Sequence, residues 1–169
     1  MLGPYSNGFA YYNDKFANGK PIEQSWLNRQ HSEDFSKLIP YQENYKDGAS
    51  RYNVGQYSNF ILLPMLQAAV KQLLAWEIKN IETYCETLSK PLFDFLETSN
   101  YTVEKKEFRS SHLFGIWLPA TLDQQTLLQE LEANKIFVSV RGKSIRVSIH
   151  PFNTSDDIDA LLRVLKKFN

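Results

Sequence analysis

Between Ser144 and Lys167 the run SIRVSIHPFNTSDDIDALLRVLKK changes its apolar period once, and that change narrows the folds open to the chain. Ile145, Val147 and Ile149 alternate with Arg146, Ser148 and His150, which is the period of a strand with one apolar face. Ile158, Leu161, Leu162 and Leu165 then recur at helical spacing behind Thr154, which can cap the helix with Asp157 three positions on, a carboxylate variant of the capping box. A strand and a helix this close, each apolar on one side only, must bury those sides in a shared core.

The neighbouring residues extend the pattern. His112 to Leu118 reads as a buried strand ending at Pro119, and Asp123 to Asn134 as a helix with Leu127, Leu128 and Leu131 inward. Ile136 to Val140 and Ser144 to Ile149 read as strands joined by a tight Arg141-Gly142-Lys143 turn. The order strand, helix, strand, strand, helix predicts a small α/β layer with helices covering one sheet face. Upstream, Leu62, Leu66, Ala69, Val70 and Leu73 define a helix that Ser58 or Asn59 can cap, with Pro64 tolerated in its first turn. Ile81, Tyr84, Cys85, Leu88, Leu92, Phe95 and Leu96 define a second helix from Ile78 to Thr98, with a kink expected at Pro91. Trp76 to Ile78 holds no strong breaker, so the two can form one bent helix. Residues 8–12 are short, aromatic and flanked by turn formers, which suits a strand; residues 13–58 are rich in Gly, Pro, Asn, Tyr and Gln without periodicity. A loop of that length is usually functional.

Composition excludes several classes. Nineteen Lys plus Arg balance nineteen Asp plus Glu, with a pI near 6.8, so no net field gathers nucleic acid or anionic lipid. No apolar stretch approaches the ~20 residues of a membrane helix, and no secretory signal opens the chain, so a cytoplasmic, soluble protein is expected. Cys85 is the one cysteine, and no Cys/His group has zinc-ligand spacing, so neither a disulfide nor a structural metal is expected.

Two clusters could bind anions. ASRYNVGQYSNF places Arg51, Asn53, Gly55, Gln56, Ser58 and Asn59 at a helix N-terminus, where free N–H groups and the helix dipole favour a phosphate or carboxylate. Capping alone would also explain Ser58 and Asn59. Arg141, Lys143 and Arg146 lie within six positions. Arg146 on an open sheet face is either solvated or, if the face is covered, a fork matched to a carboxylate. His31, His112 and His150 show no catalytic spacing, Cys85 lies on an apolar helix face, and the EKKE run from Glu104 to Glu107 reads as a solvated connector.

Three stretches, LGPYSNGF, GASRYNVGQYSNF and VSVRGKSIRVSIHPFNTSDDID, together resemble the C-terminal half of the class V aminotransferase family, the fold-type I pyridoxal-phosphate (PLP) enzymes that include cysteine desulfurases and kynureninase-like proteins. The resemblance spans essentially the whole chain, in block order and spacing. It implies the C-terminal part of a PLP-dependent transferase fold: residues 1–58 a remnant of the large domain with active-site loops, 59–98 linking helices, and 99–169 the small α/β domain. In that family the turn and strand matching Leu2 to Tyr12 belong to the large domain's sheet, and Val54 to Asn59 approach the cofactor phosphate, commonly the neighbouring subunit's in a dimer. Arg51, Gly55, Gln56, Ser58 and Asn59 are thus implied cofactor contacts, with Gln56 or Ser58 where the desulfurase branch often has threonine. Arg146 is implied to bind the substrate's α-carboxylate, while His150, Asn153 and Thr154 match the polar strand end before the last helix. The family's Schiff-base lysine stands just before the LGP turn, and Met1 occupies the place just after it. We therefore expect part of a larger enzyme acting on an amino acid, lacking that lysine and the roughly two hundred residues before it, a homodimer when complete, without covalent cofactor or turnover on its own. No cysteine lies near residues 135–146, which favours transamination or another lyase chemistry over desulfuration. A second reading is a non-catalytic interaction domain that pairs with a separate lysine-bearing half. A third, nucleic-acid binding, rests on the Arg141, Lys143 and Arg146 cluster alone.

Overall fold

A computed structural model describes residues 3–37 and 39–169. Met1 and Leu2, which adjoin the position expected for the lysine, lie outside the described residues. The chain divides into two compact units, Met1–Ala75 and Trp76–Asn169.

The first unit is irregular up to its helix α1 (Leu62–Trp76), which runs one residue past the unit boundary. The strand expected at residues 8–12 is not formed; Phe9 and Tyr11 are exposed and the backbone there has no ladder partner among the described residues. A strand without a neighbouring strand has nothing to satisfy its backbone. Short 3₁₀ turns at Asp14–Phe16, Trp26–Asn28, Phe35–Lys37 and Gly48–Tyr52 replace regular structure. They are held by buried polar groups. Asn28, fully buried, donates from Nδ2 to the Asn53 carbonyl at 2.6 Å and to the Glu23 carbonyl at 3.3 Å, and its own carbonyl accepts the Lys46 N–H at 2.8 Å. Tyr52 donates to the Phe16 carbonyl and stacks on Tyr12 at 4.2 Å.

The second unit opens with α2 (Ile78–Leu96), whose assignment is continuous through Pro91. It is a separate helix and not the continuation of α1. Glu77 stands between them at φ 62°, ψ 122°, a conformation L-residues rarely adopt. Nothing in the Trp-Glu-Ile composition signals this break, because the usual marker, glycine, is absent.

Strands β1 (Leu113–Trp117), β2 (Ser139–Arg141) and β3 (Ser144–Ser148) form an antiparallel sheet in the order β1-β3-β2. Helices α3 (Gln124–Ala133) and α4 (Ser155–Lys167) complete the predicted strand, helix, strand, strand, helix order. The expected alternation holds: Ile145, Val147 and Ile149 are buried. They share one core with Phe114 and Ile116 of β1, Cys85, Leu92 and Leu96 of α2, Leu127 and Leu131 of α3, and Ile158, Leu161 and Leu165 of α4. Burial also raises the Cys85 thiol pKa, which fits a cysteine that packs and does not react.

Strand β2 is shorter than expected. Lys135 takes a left-handed φ of 59°, and the Ile136 N–H returns to the Leu131 carbonyl at 2.9 Å, the closing bond of a Schellman-type helix end. Residues 136–138 are used in leaving α3 before pairing begins at Ser139. Between β2 and β3 the turn tightens to Gly142-Lys143, with Gly142 at φ 58° and Arg141 paired opposite Ser144. The α4 cap is as expected: Asp157 accepts the Thr154 N–H at 2.9 Å. Among the described residues no helix is long and apolar enough to cross a membrane.

Candidate functional site

The candidate residues fall in both units. Arg51, Gly55, Gln56, Ser58 and Asn59 belong to the first and Arg146 to the second.

In the first unit the Gly48–Tyr52 turn points Arg51 inward, where its side chain is 8% exposed. Its Nε donates to the Lys46 carbonyl and Nη1 to the Gly19 carbonyl, both at 3.1 Å. The guanidinium is thus a cross-brace between distant loop segments, bonded to backbone and to no carboxylate among the described residues. Gly55 is also engaged: its N–H donates to the Glu23 carboxylate at 2.6 Å. A Cβ at Gly55 would stand 2.8 Å from that same oxygen, so a larger residue here would move the Glu23 carboxylate and disturb this bond. Asn59 resolves one of the two readings left open, because its Oδ1 accepts the Ile61 and Leu62 N–H groups at 3.2 and 2.8 Å and so caps α1.

What stays available lies between these anchored points. Gln56 is at a left-handed φ of 58°. Among the described residues, neither the Gln56 and Ser58 side chains nor the N–H groups of Gln56, Tyr57 and Ser58 have a partner. Successive free N–H groups just before a helix form the kind of concavity that receives an anion.

In the second unit Arg146 sits on the sheet face turned away from the helices, opposite Gly115 on β1 and Ser139 on β2. It is half-buried; Nη2 reaches the Ser139 Oγ at 3.4 Å, and no carboxylate pairs with it among the described residues. Gly115 leaves the strand beside it bare, and a Cβ there would meet the Trp117 ring at 3.7 Å. The indole therefore lies over Gly115 on that face. Arg141 donates to the carbonyl of its own neighbour Val140 at 2.7 Å and is exposed, as is Lys143, so the three cations do not form one pocket.

The strand end beyond Arg146 is a capping device. Asn153 accepts the His150 N–H at 2.9 Å and donates to Asp157 at 3.1 Å, while its carbonyl accepts the Tyr84 hydroxyl at 2.7 Å. The His150 ring lies 4.7 Å from Phe152 and 6.5 Å from Trp76, and burial lowers its pKa. Among the described residues no group of three His, Cys, Asp or Glu could hold a metal. The Glu23 contact was not visible in the sequence; the isolated glycine at 55 is the one signal of a close approach there.

This arrangement of sheet and helices is the α/β layer found in PLP-dependent transferases. A cysteine desulfurase from Thermococcus onnurineus matches with a TM-score of 0.70 at 15% identity, covering 93% of this chain and 41% of that one. The cysteine desulfurase CsdA from Escherichia coli matches with a TM-score of 0.65 at 18% identity, over 88% of this chain and 38% of its own. The lyase C-DES, solved with glycine covalently linked to its PLP cofactor, matches with a TM-score of 0.59 at 18% identity, over 88% and 38%. At such identities the likeness establishes the fold. In sequence, an uncharacterised protein of Schizosaccharomyces pombe is 33% identical over 144 residues, 80% of this chain and 31% of that protein. The chain thus spans about a third of that relative's length. No family model matches the sequence.

Proposed function

We propose that the chain is the C-terminal part of a class V aminotransferase-like, PLP-dependent enzyme acting on an amino acid, with the Schiff-base lysine supplied by polypeptide outside these 169 residues. The observation that carries this reading is Arg146: a half-buried guanidinium on an open sheet face, with no carboxylate beside it among the described residues. A buried cation is normally paired, and a planar fork with free donors suits a carboxylate. The fold supports the reading, since solved neighbours include a PLP enzyme.

The described residues fit such a ligand set. The free N–H groups of Gln56, Tyr57 and Ser58, with the Ser58 hydroxyl, would hold a phosphate. Arg51 and Asn59 would keep that loop in shape, since both are bonded to backbone. Arg146 would bind and orient the amino acid's carboxylate, steadied by Ser139. When bound, PLP supplies the electron sink for chemistry at the α-carbon. On the resemblance we assign residues 1–58 to the large domain, 59–98 to the linking helices and 99–169 to the small domain of a cytoplasmic homodimer.

Incubating the purified chain with PLP, reducing with borohydride and mapping adducts by mass spectrometry tests this. We expect only scattered, substoichiometric lysine modification. One stoichiometric adduct on a single lysine would contradict the proposal.

A further inference from the structure

The two units differ in what they keep from water. Sixteen buried apolar side chains form a single cluster in the second unit, whereas the first unit's described residues bury Leu66 alone among large apolar groups. Exposure runs the other way: among the described residues, seventeen large apolar side chains are exposed in the first unit and nine in the second. Tyr5, Phe9, Tyr11, Phe35, Ile39 and Phe60 are among the barest. Together the seventeen leave on the order of 2,000 Å² of apolar side chain in water. A stable interface takes about 800 Å² from each partner.

The first unit's internal links are hydrogen bonds, one ion pair and surface ring contacts among its described residues: the Asn28 and Arg51 braces, the Glu23 bond to Gly55, the Lys46–Glu33 pair, the Tyr12–Tyr52 stack and Arg29 over the Tyr45 ring. Such bonds select one conformation, but ordering some sixty residues of irregular backbone needs apolar burial to offset the entropy, and one leucine does not supply it. The second unit has that burial within itself.

We infer that residues 3–61 fold only against a polypeptide partner while the second unit folds unaided, and that the partner is the remaining part of the same transferase fold. The partner's identity rests on the function proposed above. Three-fifths of the Thermococcus chain is polypeptide that this one does not match, since the coverage is 41%. Six acidic and seven basic residues up to Ala75 leave the first unit nearly neutral, which gives a membrane or nucleic acid no electrostatic hold on it. Its exposed surface is aromatic and aliphatic, and its extent is that of an obligate interface.

Hydrogen–deuterium exchange on the full chain, alone and with the part of the S. pombe relative outside its matched segment, tests this. Alone, amides of β1, β3 and α4 are expected to resist exchange for hours, while those of residues 3–61 exchange within minutes. Adding the complementary polypeptide should slow residues 3–61 at least tenfold, and Phe9→Ser combined with Tyr11→Ser should abolish that slowing without altering the second unit. Protection of residues 3–61 in the isolated monomer would overturn the inference. Protection that follows chain concentration and a dimer would overturn the choice of partner, as would none on adding the complement. Protection without cofactor uptake by the mixture would uphold the docking and count against the proposed function; uptake without protection would do the reverse.

Discussion

Arg51 and Arg146 show how one residue type is used in two ways. Arg51 is nearly closed off, and two of its donors are spent on backbone carbonyls; Arg146 keeps most of its donors unused on an open face. Arg51 lies in an aperiodic polar run, and nothing local marks it as a brace, because its partner Gly19 stands some thirty positions away; Arg146 lies in an alternating strand that fixes its face but not its partners. Glu77 illustrates another limit. Its φ of 62° lies where L-residues are strained, and a side chain there costs about 1–3 kcal/mol. Glycine relieves that cost and loses part of the gain to unfolded-state entropy. Glu77→Gly is therefore expected to raise the stability of the chain by about 1 kcal/mol, read from the denaturant midpoint at unchanged slope.

At the scale of elements, α2 and α4 carry the second unit. Leu92 is fully buried where α2 meets the sheet, and Leu92→Ala should cost about 2–5 kcal/mol by leaving a cavity, seen as an earlier urea transition. The α4 cap adds a pH dependence. The Thr154 N–H, and after it the Asn153 amide, hold the Asp157 carboxyl below its ordinary pKa. A carboxyl depressed by folding stabilises fully above its unfolded pKa and loses that contribution as pH falls through the folded value. Thermal melts taken downward from pH 5 should thus lose stability in that acid window, and Asp157→Asn should flatten the loss; an unchanged slope would contradict the assignment. These elements are legible in the sequence because each has a local signature: alternation for β3, a cap and 3.6-residue spacing for α4, a glycine in the β2–β3 turn. The failures are equally local. Residues 8–12 look like a strand, yet pairing needs a neighbour that no local pattern supplies. Residues 136–138 look like strand, yet the Ile136 N–H closes α3.

At the scale of the molecule, the second unit encloses its own core and the first does not. That contrast stands beside coverage of 31% to 41% in the proteins the chain matches, and the proposed function gives Arg146 the carboxylate of an amino acid. The site is partly legible: alternation alone places Arg146 on the face away from the core, while only the structure shows that no described carboxylate neutralises it. The most direct test is a titration of the assembled protein, chain plus complementary polypeptide plus PLP, with an amino acid, following the cofactor's visible absorbance. Losing a charge-assisted pair worth about 1.5–3 kcal/mol should make Arg146→Gln require roughly ten- to a hundredfold more amino acid at unchanged cofactor affinity. A variant that titrates like the wild type, or that loses the cofactor instead, would contradict the role given to Arg146.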